Sequence, residues 1–192
     1  MLASASPRRQ ELLCNAGISF TVQPADIDEA PLAGESAIEC AKRLAREKAL
    51  AVFRNHPQSY VLGADTIVAV DELILGKPRD AEDAVRMLRL LSGRTHVVIT
   101  GVCLVGPGAR GQGAGASKTN VASESTSVTM CGIAEDEIRE YIATGEPMDK
   151  AGAYAIQGRA SRWIPHIEGD YSNVVGLPVA LVYALLRERG VL

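Results

Sequence analysis

Tyr60-Val-Leu-Gly-Ala-Asp-Thr-Ile-Val-Ala-Val70, then Asp71-Glu72, then Leu73-Ile-Leu75, is the stretch on which the fold turns. Its first part is rich in Val, Ile and Leu, and Asp71-Glu72 separates it from Leu73 to Leu75, so it reads as a strand with a hairpin partner. Working outward, Ser36 with Glu39 three residues on is a capping-box pattern, and Ile38, Ala41, Leu44, Ala45 and Phe53 form a helical stripe to about residue 54. Before that, Ser6 as N-cap and Pro7 at the first helical position open a helix with Leu12, Leu13 and Ala16 on one face, ended by Gly17. On the other side, Asp80 with Asp83 caps a helix to Leu91. His96 to Val105 and Val121 to Met130 read as strands, and Glu135 to Thr144 and Val179 to Glu188 as helices, with a glycine-punctuated stretch between Ala151 and Gly169. Helices alternating with strands, then paired strands, predict an α/β protein with a mixed sheet.

A chain of 192 residues fits one domain or two small lobes, and 47% hydrophobic with 22% charged residues excludes disordered, collagen-like and coiled-coil classes. The net charge of −3, with Lys and Arg dispersed, argues against nucleic acid and anionic membrane as partners. Cys14, Cys40, Cys103 and Cys131 are too scattered for a zinc site and too few for a disulfide scaffold, and are expected to be reduced core thiols. No stretch of about 18 apolar residues occurs and the N-terminus lacks a signal-peptide pattern, so the expectation is a soluble cytoplasmic protein.

Two glycine patterns mislead. Gly106-x-Gly108-x-x-Gly111 formally matches a dinucleotide fingerprint, and Gly113 to Thr119 approaches a phosphate-binding loop. Pro107 and a run of small residues stand where the first needs a helix, and Ser117 replaces the glycine the second needs. Residues 106–117 are therefore read as a flexible glycine-rich hairpin loop. His56, His96 and His166 lie near no Cys or Asp at triad or metal spacing and are expected to be structural or exposed.

Other residues point to chemistry. Arg8 and Arg9 occupy the first turn of a helix, where the macrodipole disfavours cations. Free helix N–H groups, the Ser6 hydroxyl and two guanidinium forks suit a polyphosphate, although two solvated arginines beside an ordinary cap fit equally well. Lys48 falls on the apolar stripe of its helix, four residues after Leu44, either snorkelling or aimed along a cleft. Asp65 is a lone acid in an apolar strand, expensive unless paired or metal-bound, and so a candidate catalytic group, the alternative being a satisfied core Asp. Lys77 on the Gly76-Lys77-Pro78 turn is a second candidate phosphate ligand, and the acidic run of Asp26, Asp28 and Glu29 is either a solvated face or a source of a divalent-metal ligand.

Taken together, the blocks Ser4-Ala5-Ser6-Pro7-Arg8-Arg9, Arg43 to Ala49, Gly63-Ala64-Asp65-Thr66, Gly76-Lys77-Pro78-Arg79, Ser92-Gly93-x-x-His96, Asp149 to Gly158 and Gly169 to Pro178 resemble the Maf family, in the family's order over nearly the whole chain. The resemblance implies an elongated two-lobed domain over residues 1–192, a mixed twisted sheet flanked by helices around a central cleft, as in the inosine triphosphate pyrophosphatases. It implies a pyrophosphatase that cleaves a nucleoside triphosphate to monophosphate and pyrophosphate with Mg²⁺ or Mn²⁺, in nucleotide-pool housecleaning. Asp65 is then the proton acceptor and a metal ligand with Glu29. Ser6, Arg9, Lys48 and Lys77 hold the triphosphate, and Arg8, Thr66 and Gln157 shape base and sugar recognition.

Within the family, the branch acting on 7-methyl-GTP has an aromatic in place of Arg8, Ser-Asp-Gln in place of Ala64-Asp65-Thr66 and Ser-Glu in place of Ile156-Gln157. This chain is similar at all three places to the branch acting on dTTP and UTP, with CTP and modified pyrimidine nucleotides as an extension. The alternatives are 7-methyl-GTP or inosine triphosphate as substrate, or a nucleotide-binding regulator of septum formation. The number of subunits is open, a homodimer being one option.

Overall fold

The computed structural model describes residues 1–108 and 117–192. Its helices are α1 (Pro7–Asn15), α2 (Ala37–Phe53), α3 (Ala81–Leu91), α4 (Glu135–Ala143), α5 (Tyr171–Val175) and α6 (Val179–Glu188). Its strands are β1 (Val61–Val70), β2 (Leu73–Leu75), β3 (Thr95–Pro107), β4 (Ser117–Thr129) and β5 (His166–Glu168), with 3₁₀ turns at Glu146–Asp149, Ala151–Ala153 and Arg159–Trp163. The sheet order is β2-β1-β3-β4-β5. β1 pairs antiparallel with β2, Val68 opposite Leu75, and β4 antiparallel with β5, Val128 opposite Ile167. Leu2 makes isolated parallel bridges to Val22 and Leu62 outside these strands. The α/β class is as expected, but the five-stranded sheet is antiparallel rather than mixed, because its neighbouring strands pair as antiparallel ladders.

The chain divides into two compact units. The first comprises Met1–Asp65, Thr100–Glu124 and Gly176–Leu192, the second Thr66–Ile99 and Ser125–Val175. In the first, alternation along β1 sorts its side chains to two faces. Leu62 and Ala64 join Leu13 of α1 and Val182 and Leu186 of α6, whereas Val61 joins Ala45, Ala49, Val52 and Phe53 of α2. In the second, Val68, Leu75, Leu88, Leu91, Val98, Val128, Ile138, Tyr141 and Trp163 form one core. Tyr141 and Trp163 meet there edge to face at 5.2 Å.

The seat of α2 on the sheet decides which side chains can meet β1. Its capping box is present, Ser36 accepting from the Glu39 N–H while Glu39 accepts from the Ser36 N–H. The helix lies against the sheet at two glycines. A Cβ on Gly63 of β1 would stand 2.2 Å from the Ala45 carbonyl oxygen and 2.7 Å from the Ala49 nitrogen, and one on Gly101 of β3 would stand 2.2 Å from the Ala41 carbonyl oxygen. Only glycine permits that approach.

Three further expectations need correction. Ile38 is 44% exposed, because the first turn of α2 overhangs the packed face and burial begins at Cys40. All four cysteines are free, but only Cys40 and Cys103 are core thiols, pushed up by burial to about 11 and about 12, whereas Cys14 and Cys131 are exposed. Gly106 and Pro107 close β3 and Ser117 opens β4, so these three residues of the expected loop belong to strands. The rest of that loop, 109–116, lies outside the described residues. No helix among the described residues is long and apolar enough to cross a membrane.

Candidate functional site

Residues 63 and 65 share one face of β1, so the glycine that lets α2 approach also aims Asp65 at the same helix. One turn beyond Ala45, α2 presents Lys48, whose Nζ lies 2.6 Å from Asp65 Oδ1. The same Nζ lies 2.6 Å from Glu29 Oε1, supplied by the loop before α2. The side chains of Lys48 and Asp65 are 9% and 11% exposed, that of Glu29 43%. Two carboxylates from separate segments thus converge on one ammonium at the edge of solvent. The apolar stripe that carries Lys48 explains its burial: Leu44, Ala45, Ala49 and Val52 surround its position on the helix face.

Arg9 is buried as well. Its Nε donates to the Gly176 carbonyl at 2.7 Å and its Nη1 to Ser4 Oγ at 3.1 Å, while Ser4 Oγ also accepts the Ser6 N–H. Burial pulls the Arg9 guanidinium below its ordinary value. Asp65 pushes it back up, Arg8 lowers it further and Glu29 raises it. Arg9 therefore feels the charges of Asp65, Arg8 and Glu29. Arg8, Arg9 and Lys48 bring positive charge beside the two carboxylates, which suits an anion. Ser6 stands at the N-cap of α1 with extended backbone, yet its hydroxyl caps no N–H of the helix.

Thr66, Lys77 and Gln157 belong to the second unit. Thr66 follows Asp65 on β1 and is half-buried, Lys77 stands exposed in the turn after β2, and Gln157 is exposed between two 3₁₀ turns. The segment carrying Gln157 is held from beneath. The Gly152 N–H donates to the Gly76 carbonyl at 3.1 Å, and Gly152 itself is left-handed at φ 69 with Val68 against it. Tyr141 Oη donates to Glu146 Oε1 at 2.9 Å and accepts the Ala155 N–H at 3.3 Å, and Glu146 accepts the Arg159 N–H. A Cβ on Gly158 would fall against the Glu146 carboxylate and displace it from these hydrogen bonds.

Sequence reasoning missed several of these supports. Ser4 and the Gly176 carbonyl have no local signal that marks them as anchors for Arg9. His96, expected to be structural or exposed, is structural: it is 2% exposed and 2.7 Å from Tyr154 Oη, a partner the sequence did not mark, with burial holding its imidazole down to about 4 and its Nδ1 without a partner among the described residues. Asn173 Nδ2 donates to the Val98 carbonyl and to Thr126 Oγ1, both at 3.0 Å, and so ties the Gly169 to Pro178 block to the sheet. The structure thus brings Arg9, Glu29, Lys48 and Asp65 together within the first unit and sets Gln157 on a braced turn of the second.

Comparison with known proteins shows the family. The sequence profile of the family described as Maf-like protein matches residues 1–189. A protein of Koribacter versatilis named dTTP/UTP pyrophosphatase is 55% identical over 192 residues, covering 100% of this chain and 95% of its own. One of Myxococcus xanthus with the same name is 52% identical, covering 99% and 92%, and one of Syntrophomonas wolfei, again so named, is 48% identical, covering 98% and 96%. With its motif blocks in place and matched over almost its full length, the chain belongs to the Maf family.

Proposed function

We propose that this chain hydrolyses dTTP and UTP at the bond between the α- and β-phosphates, giving the nucleoside monophosphate and pyrophosphate. The observation that carries the reading is the buried Asp65, fixed between Lys48 and the sheet, in a chain about half identical to proteins named dTTP/UTP pyrophosphatase. Asp65 accepts a proton from the attacking water as the water oxygen bonds to phosphorus, and the bridging oxygen departs with pyrophosphate. Arg8, Arg9, Lys48 and Lys77, with the Ser6 hydroxyl, offset the triphosphate charge, which grows on the departing oxygens. Arg8, Thr66 and Gln157 read base and sugar. The Gln157 amide offers one donor and one acceptor, the complement of the carbonyl and ring N–H of thymine and uracil.

Asp65 and Glu29 direct hard carboxylate oxygens to one point, the position of Lys48 Nζ. Among the described residues no group of three His, Cys, Asp or Glu is placed to hold a metal. The pair still suits Mg²⁺ or Mn²⁺, because such ions are commonly held by one or two carboxylates with substrate phosphates completing the shell. When bound, the ion supplies Lewis acidity to the phosphates and favours ionisation of water. A cytoplasmic location follows from substrates of this kind, and a homodimer is part of the same proposal.

The test is a panel of nucleoside triphosphates with Mg²⁺ or Mn²⁺, scored by pyrophosphate release. dTTP and UTP rank first on this reading. 7-Methyl-GTP or inosine triphosphate ranking first overturns the base assignment, and no release from any of them overturns the activity.

A further inference from the structure

We propose that Lys48 holds the divalent-cation seat formed by Asp65 and Glu29 until a triphosphate draws its ammonium away, so that metal binds this chain tightly only together with nucleotide. The inference rests on the pyrophosphatase reading and goes beyond it, because it makes a substrate-binding lysine a competitor of the metal.

The geometry is direct. One Nζ lies 2.6 Å from an oxygen of each carboxylate. A divalent ion bound by the same two side chains takes carboxylate oxygens at about 2.0–2.1 Å for Mg²⁺. Both cations need the oxygens that face this point, and two positive charges at contact distance repel. Lys48 is buried on the apolar stripe of α2, so its ammonium does not simply move out to solvent. It leaves the carboxylates only for another anion within reach of its four-carbon stem. A triphosphate is that anion, and its own oxygens supply the ligands the two carboxylates do not. Nucleotide and metal therefore favour each other reciprocally, while metal alone meets carboxylates already paired with Lys48, and nucleotide alone meets an ammonium already paired with them. Such coupling keeps a water-activating ion out of the site when no nucleotide is present.

The experiment measures Mn²⁺ binding to the purified chain without nucleotide, by the loss of the free-ion electron paramagnetic resonance signal. Lys48→Met keeps the apolar stem and removes the charge, and is expected to bind Mn²⁺ at least about tenfold more tightly than the unaltered chain. Lys48→Gln gives a second neutral variant should the first not fold, with the same expectation. Lys48→Arg retains a cation and is expected to bind no more tightly than the unaltered chain. Adding Asp65→Asn to Lys48→Met removes the gain. Equal or weaker Mn²⁺ binding in a folded Lys48→Met or Lys48→Gln overturns the proposal and leaves Lys48 a structural ion pair. None of these measurements needs turnover, so the proposal and the pyrophosphatase reading fail separately: the latter falls if the unaltered chain releases no pyrophosphate from dTTP.

Discussion

Replacing Asp65 by Asn changes one oxygen of the site to nitrogen, and the structure limits what else it disturbs. The amide oxygen still accepts from Lys48, and Glu29 at 2.6 Å still neutralises the ammonium, so no buried charge is stranded. The stability cost is then about 1–2 kcal/mol, that of weakening one charged hydrogen bond. The loss of the proton acceptor is far larger in its effect on rate. A positioned base contributes about 10²–10⁴-fold, equivalent to about 2.7–5.5 kcal/mol of barrier. The assay is the initial rate of pyrophosphate release from dTTP, run beside urea denaturation of the same preparation. Turnover falls by two orders of magnitude or more while the denaturation midpoint moves little. An Asp65→Asn chain that folds and turns over within about threefold of the unaltered chain refutes the argument.

Gly63→Ala places a Cβ 2.2 Å from the Ala45 carbonyl, which forces α2 off the sheet. Urea denaturation is expected to show a loss of about 2–4 kcal/mol, and dTTP turnover falls with it because Lys48 moves away from Asp65. His96 is held at about 4 when folded, against an ordinary value near 6.5. The unfolded chain therefore takes up this proton first: stability from this group is complete above pH 6.5 and lost as pH falls to about 4, by about 3 kcal/mol. His96→Phe should flatten that part of the stability profile, and an unchanged slope between pH 6.5 and 4 counts against it. Gln157→Glu replaces the amide donor by a carboxylate, so the ratio of dTTP to 7-methyl-GTP hydrolysis should drop by about tenfold. A ratio that holds or rises places base recognition elsewhere.

Much of the frame was legible because it is written locally. The Ser36–Glu39 capping box, the β1–β2 hairpin across Asp71-Glu72 and the last helix Val179–Glu188 all rest on residues close in sequence. The anomalies of Asp65 in an apolar strand and Lys48 on an apolar stripe were visible too. Their meeting was not, since 17 residues separate them and the contact depends on the close approach at Gly63. Nothing in a sequence marks which carbonyl will receive Arg9, 167 residues from Gly176. β5 and α5, three and five residues long, escaped because neither spans enough residues to show a period. Ile38 misled for a related reason: helical spacing predicts a shared face but not where the surface beneath it stops.

The products formed from dTTP test the central claim most directly. Followed by phosphorus nuclear magnetic resonance with Mg²⁺ present, the unaltered chain is expected to yield thymidine monophosphate and pyrophosphate in equal amounts, with no diphosphate at any time. Thymidine diphosphate with inorganic phosphate, or dTTP that remains intact, contradicts the account.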